Sequence, residues 1–226
     1  MTASPKPLQI EFVSDVVCPW CVVGLGGLET ALGSLAAEGI TAEIRFQPFE
    51  LNPDMVPEGE NITEHIGRKY GATPDQSAKN RAMIRDRAAE AWPDDGKGFE
   101  MRMGQTSRIW NTFDAHRLLH LALAEGGPAL QATLKESLLS AYFEDAQDVG
   151  DHTVLRREAL SAGLDPERVD EVLAGEEYAD AVVADIDAAM DLGVSGVPFF
   201  VVGGRYAVSG AQPTDVFARV LQQAWE

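Results

Sequence analysis

The strongest constraint on the fold is where strand periodicity occurs along the chain and where it stops. Leu8 to Ser14 opens with apolar/polar alternation, the mark of a strand with one buried face, and ends at Asp15. From Pro19 to about Ala37 the apolar positions Trp20, Val23, Leu28, Leu32 and Leu35 recur at helical spacing, and Gly39 stands where a helix-ending glycine would. Thr41 to Phe49 alternates again, with Ile44 and Phe46 on one face, until Asn52-Pro53 breaks the pattern. Nothing from Pro57 to Leu192 then reads as a strand. Strand character returns as Val197-Pro-Phe-Phe-Val-Val202, followed by a two-residue turn at Gly203-Gly204 and a second strand from Arg205 to Ser209. Pro213 to Trp225 closes the chain as a helix with Val216, Phe217, Val220, Leu221 and Trp225 on one face.

The order is therefore βαβ, a helical block, then ββα. The strands at the two ends must pair to complete one sheet, which predicts an α/β fold with a large all-helical insertion. The expected division is residues 1–56 with 193–226 as the sheet domain, and 57–192 as the insertion. Breaks at Gly71 to Pro74, Trp92-Pro93 to Gly104, Gly126-Gly127-Pro128, Gly150 and Gly163 to Pro166 cut that block into about six helices. Asp151 to Thr153 and Asp165-Pro166 have the composition of helix starts.

Composition narrows the partners. Among 226 residues, 18 Lys and Arg face 36 Asp and Glu, a formal charge of −18. A nucleic-acid-binding surface needs Lys and Arg to displace counterions from phosphates, so nucleic acid is not an expected partner. The densest basic stretch, Lys79 to Arg87, is interrupted by Asp86 and followed by Glu90, and reads as one face of a solvated helix. Met1 to Leu8 lacks the apolar stretch that a secretory signal needs and no run of 18 apolar residues appears, so the expected setting is cytoplasmic, reducing and off the membrane. A monomer and a homodimer both remain open.

Both cysteines lie in Cys18-Pro19-Trp20-Cys21, at the junction of the first strand and the first helix. A thiol at a helix N-terminus meets unpaired N–H groups and the positive end of the dipole, which favours its thiolate. Cys18 is the candidate nucleophile. Cys21, one turn deeper, is placed to resolve a mixed disulfide on Cys18. Pro19 suits the first helical position, and Trp20 offers a flat apolar surface beside the thiols. Two other uses of the pair stay open, a buried structural CxxC and a Cys2His2 zinc site completed by His116 and His120. The redox use is favoured because the motif sits within a βαβ pattern. No resident metal or bound cofactor is expected.

Val197-Pro198 offers a second constraint. Either Pro198 opens a strand, where its missing N–H is tolerated, or the bond is cis and turns the Val197 backbone toward a neighbouring site, where it could pair with an extended substrate. Asp15 and Glu11 are candidate proton acceptors for Cys21. Gly24-Leu-Gly-Gly27 lacks the third glycine of a dinucleotide loop, and Val194-Ser195-Gly196 lacks the final glycine of a nucleophile elbow.

Taken together, Cys18-Pro-Trp-Cys21 after a strand, Gly193-Val-Ser-Gly-Val-Pro-Phe199, Tyr206-Ala-Val-Ser-Gly-Ala-Gln212, Phe46-Gln-Pro-Phe-Glu-Leu-Asn-Pro53 and Asn111-Thr-Phe-Asp-Ala-His-Arg117 resemble the DsbA-like thioredoxin-fold family, in its FrnE branch. The resemblance implies a thioredoxin-like fold and a thiol-disulfide oxidoreductase or isomerase acting on a disulfide- or dithiol-containing substrate. It implies Cys18 as the exposed catalytic thiol, Cys21 as its partner, Val197-Pro198 as a cis-proline loop facing them, and the insertion as a roof. Trp20, Val197, Pro198 and His116 are then the expected substrate-binding residues. Some relatives carry a further cysteine pair near the C-terminus, which this chain lacks. Relatives of the 2-hydroxychromene-2-carboxylate isomerase and kappa-type glutathione transferase kind use Ser at the position of Cys18 and bind glutathione, so glutathione stays open as a co-substrate and a glutathione-dependent isomerase or transferase is the alternative.

Overall fold

Strand β1 (Leu8–Ser14) lies at the centre of the molecule, and the chain is built outward from it. The computed structural model describes residues 6–92 and 99–226. Helix α1 (Pro19–Leu35) follows β1 after a short bend and ends in a single 3₁₀ turn, with Gly39 in the left-handed conformation at φ 79°. Strand β2 (Ala42–Pro48) returns parallel to β1, pairing from Leu8 with Ala42 to Ser14 with Pro48. The last third of the chain supplies β5 (Phe199–Val202) and β6 (Tyr206–Ser209), giving one four-stranded sheet in the order β2-β1-β5-β6. β1 pairs antiparallel with β5 across the whole insertion, as the division of strand periodicity requires. Helix α8 (Thr214–Trp225) closes the chain against α1.

The sheet core is aromatic. Phe12 stacks on Phe200 at 4.3 Å between centroids, Phe46 lies 5.4 Å from Phe12, and Phe217 of α8 meets Phe200 edge-on at 4.9 Å. Such pairs add roughly 0.5–1.5 kcal/mol each beyond their buried area. α1 is long and apolar enough to span a membrane by length and composition alone, although it contains no unbroken run of 18 apolar residues. Here Cys21, Val22, Leu25 and Leu28 are buried in the core, as in the central helix of a globular domain. Its glycines are packing residues: a Cβ on Gly24 would sit 3.0 Å from Pro198 Cγ, and one on Gly26 would strike the Trp92 ring at 2.4 Å.

Between β2 and β5 run α2 (Ile62–Tyr70), α3 (Pro74–Ala91), α4 (Phe113–Phe143), α5 (His152–Ala162), α6 (Pro166–Ala174) and α7 (Ala179–Asp191). Asp151 and Asp165 cap α5 and α6 through their carboxylates, and Thr73 with Gln76 forms a reciprocal capping box on α3. The block is not wholly helical. β3 (Glu60–Asn61) and β4 (Arg108–Ile109) form a two-residue antiparallel ladder, too short to leave an alternation signal. The expected break at Gly126-Gly127-Pro128 is a kink within α4, where Gly127 takes φ 69°. Much of the break expected from Pro93 to Gly104 falls at 93–98, outside the described residues. The turn between β5 and β6 has three residues, since Val202 pairs with Tyr206, so Arg205 belongs to the turn. The insertion shares the sheet's core: the Gln131 side chain of α4 donates to Phe46 O at 2.8 Å and accepts from Phe46 N at 2.9 Å.

Candidate active site

The bend between β1 and α1 sets the site. Asp15, Val16 and Val17 are buried, and Cys18 occupies the N-cap position of α1 with extended φ/ψ and Pro19 as the first helical residue. Cys21 N donates to Cys18 O at 3.0 Å, which places the two thiols one turn apart, and both are reduced. Cys18 Sγ lies 3.6 Å from the carbonyl oxygen of Val197, to which it donates. The Val197–Pro198 bond is cis. The loop before β5 thus meets the helix start, although the two are separated by nearly the whole chain.

Cys18 opens onto a cavity of about 450 Å³. Its walls are Val17 to Trp20 from the scaffold, Ser195 to Val197 from the loop before β5, and residues of α2 and α3, with Met103, Ile109 and Tyr142 behind. The insertion therefore roofs the thiol, and Cys18 as a whole is only 2% accessible, against the expectation of an exposed residue. Trp20 and Val197 line this cavity. Pro198 does not; it is buried against Gly24 of α1 and sets the height of the loop. A larger cavity of about 540 Å³, lined by Arg85, Arg102 and Arg108 among others, includes neither cysteine.

Behind the thiols lies a closed polar cluster. Cys21 is 1% accessible, and burial together with the adjacent Cys18 sulfur pushes its thiol well above the ordinary range, while Lys135 and the Asp15 amide pull the other way. Asp15 accepts from Leu51 N at 2.8 Å and from Val17 N at 3.5 Å. Burial raises its carboxyl, but His116 and the Leu51 amide outweigh that and hold it below its usual value. His116, placed by the sequence in the substrate groove, is 2% accessible and absent from the cavity wall, with Nε2 3.6 Å from Asp15 Oδ1. It stands on the first turns of α4, on the face turned to the β1 bend, and burial depresses its pKa. His120, its partner in the alternative zinc site, instead pairs with Asp185 at 3.0 Å and stacks near Tyr178. Among the described residues no group of three metal-ligating side chains occurs.

Sequence reasoning missed three residues here. Lys135 of α4 is 0% accessible, its Nζ has no hydrogen-bond partner among the described residues and sits 5.8 Å from the Phe46 ring centroid. Burial lowers its pKa against the attraction of Cys21, Asp15 and Cys18. Glu50, just beyond β2, is raised to about 7 by burial and by the charges of Asp15 and Asp54, and its Oε1 has no hydrogen-bond partner among the described residues. Arg81, taken for part of a solvated face, is 5% accessible and lines the cavity. Glu11, the other suggested proton acceptor, accepts from Gln47 Nε2 and ties β1 to β2.

Residues 9–222 match the DSBA-like thioredoxin domain, and the chain belongs to that family, whose members are thiol-disulfide oxidoreductases. Its particular relatives are informative in different degrees. A crystal structure of a "probable DsbA oxidoreductase" from Streptomyces coelicolor is 36% identical with a TM-score of 0.85, covering 96% of this chain and 90% of that one. YwbO of Bacillus subtilis, an uncharacterized protein, is 25% identical over 215 residues, 95% of this chain and 96% of the other. The cytosolic disulfide reductase DsbM from Pseudomonas aeruginosa, solved with GSH, shares the fold at 17% identity and a TM-score of 0.60, over 95% and 98% of the two chains.

Proposed function

We propose that this protein exchanges electrons between its Cys18-Cys21 dithiol and the disulfide of a substrate, with the segments 46–53 and 111–117 supporting the FrnE branch of the family. The carrying observation is the placement of Cys18 at the N-cap of α1, open to the cavity and 3.6 Å from Val197 O, with Cys21 one turn behind it. The Cys18 thiolate attacks one sulfur of R–S–S–R′; the substrate bond breaks, R′S⁻ leaves and takes a proton, and a Cys18–S–S–R bond forms. Cys21 then gives its proton to the cluster of Asp15, His116 and Lys135, and its thiolate attacks Cys18 Sγ. RS⁻ leaves and is protonated, two electrons have passed to the substrate, and the enzyme holds a Cys18–Cys21 disulfide. A dithiol, or two monothiols such as glutathione, returns it to the reduced state. The reverse sequence oxidises a dithiol, and the reduction potential of the pair decides the direction.

Cys21→Ser is the test. Incubated with a small disulfide, it should stop at a one-to-one mixed disulfide on Cys18 seen by intact mass, while the wild type proceeds to its internal disulfide and Cys18→Ser gains no mass. If Cys21→Ser turns over as fast as wild type, the dithiol cycle is wrong and a glutathione-dependent isomerase or transferase, which needs only Cys18, takes its place.

A further inference from the structure

The cavity in front of Cys18 has a charge opposite to that of the protein around it. The chain carries twice as many acidic as basic residues, yet among the described residues no Asp or Glu lines this cavity, while Arg81 and Lys69 do. Lys69 Nζ donates to Leu51 O at 2.7 Å and Asn52 Oδ1 at 2.8 Å, both uncharged. Arg81 is more unusual, being almost wholly buried. Its Nη1 donates to Ser77 Oγ at 2.6 Å and Thr63 Oγ1 at 3.4 Å, and Nε and Nη2 make no hydrogen bond to a described residue. No carboxylate among the described residues forms an ion pair with it. A buried guanidinium without a counter-charge is costly to maintain, and both burial and the nearby Arg85 disfavour its charge. Arginine nevertheless stays protonated, so the charge is present and unanswered. The hydroxyls of Ser77 and Thr63 hold one arm of the fork and leave the edge formed by Nε and Nη2, the edge that receives a carboxylate in two parallel hydrogen bonds.

We propose that Arg81 is the anion-binding residue of the substrate cavity, and that the substrate is a low-molecular-weight disulfide bearing a carboxylate, held by Arg81 while its sulfur meets Cys18. This rests on the thiol-disulfide chemistry proposed above and adds the class of substrate. The cavity is large enough for a small molecule, and Cys18 at its wall is only 2% accessible, which disfavours a folded protein chain as the occupant. Lys69 adds a second positive charge in the same wall, so a substrate with two carboxylates is also suited to it.

The test uses three symmetric disulfides: dithiodipropionate, which is anionic; hydroxyethyl disulfide, which is neutral; and cystamine, which is cationic. The rate at which each oxidises the reduced full-length protein is divided by its rate with free dithiothreitol, which removes intrinsic reactivity. The net charge of −18 alone would rank the probes cystamine, neutral, anionic. An Arg81 subsite reverses the order and puts dithiodipropionate ahead of the neutral disulfide by about tenfold or more, the scale of a charge-assisted hydrogen bond. Arg81→Met should lose that preference, its rate falling about tenfold further with dithiodipropionate than with hydroxyethyl disulfide; Arg81→Lys, which keeps the charge without the fork, should retain part of it. Wild-type selectivity in the order set by net charge overturns the proposal, and so does an equal loss with all three probes in a folded Arg81→Met. If no probe oxidises the protein, it is the thiol chemistry that has failed. The subsite is then judged by calorimetry with thiodipropionate, the thioether that cannot react: binding to wild type that is lost in Arg81→Met and weakened in Arg81→Lys upholds it, and no binding to wild type, or equal binding to wild type and Arg81→Met, refutes it.

Discussion

Two buried cations flank the dithiol, and they differ in what surrounds them. Arg81, in front, has one arm held by hydroxyls and faces a cavity with room for a ligand. Lys135, behind, is sealed within the core, with Asp15, Cys18 and Cys21 as the charges acting on it and no hydrogen-bond partner among the described residues. Both carry a desolvation cost that an apolar side chain would avoid. The front cation gains a counter-charge when an anion arrives from outside. The back cation is answered from inside, whenever Cys21 or Asp15 carries negative charge. The difference divides the reaction: the front governs which disulfide is attacked, and the back governs how fast Cys21 resolves the product.

Substitutions behind the thiols should therefore alter the second step whatever the charge of the substrate. Asp15→Asn keeps an acceptor for Leu51 N but removes the charge facing His116 and the thiols. It should lengthen the lifetime of the Cys18 mixed disulfide by about 100-fold, the lower end of what a positioned proton acceptor contributes, as followed by quenched intact mass. The three probes should slow alike; a change in their ranking would merge the two regions and break the comparison. Lys135→Met should slow the same step by about tenfold, equivalent to about 1.4 kcal/mol in the barrier. Its thermal midpoint should equal or exceed that of wild type, because an unpaired buried amine is replaced by an apolar stem of similar reach. A large loss of stability would mean that Lys135 holds the fold together and is not kept for the chemistry.

The scaffold was legible because its signals are long and periodic. β1, α1, β2 and the final hairpin each present several residues in register with one buried face, and the CxxC falls at a junction that periodicity alone locates. β3 and β4 have two residues each and no period to detect. The dithiol could be read from the sequence, but its two cations were harder to find, although the information was present in helical phase. Ser77, Arg81, Ile84 and Ala88 are the buried residues of α3 and recur at the spacing of one face, so Arg81 stands in a core stripe. Gln131, Leu134, Lys135, Leu138, Leu139 and Tyr142 form the equivalent stripe of α4. Counting charges along the segment hid Arg81 among its solvated neighbours Lys79, Arg85 and Arg87, where reading phase first would have set it apart. His116 erred in the other direction: the segment pointed to function, but only the packing of α4 on the β1 bend shows that it faces Asp15 and not the cavity.

Glu50 belongs to the back region by its neighbours, and it gives the gentlest test of the comparison. Burial, with the charges of Asp15 and Asp54, raises its carboxyl from 4.5 to about 7. The folded state thus binds the Glu50 proton more tightly than the unfolded chain does. Its contribution to stability is complete below about pH 4.5 and is lost as pH rises through about 7. Glu50→Gln, which mimics the protonated form, should remove that slope: thermal midpoints of wild type and variant should agree near pH 4.5, with the variant higher above pH 7. Because Asp15 is one source of the shift, Asp15→Asn should flatten part of the same slope. Arg81→Met, on the other side of the thiols, should leave it unchanged; if it moves the slope as far as Asp15→Asn does, the front and back of the site are one electrostatic unit and the division of labour between the two cations fails.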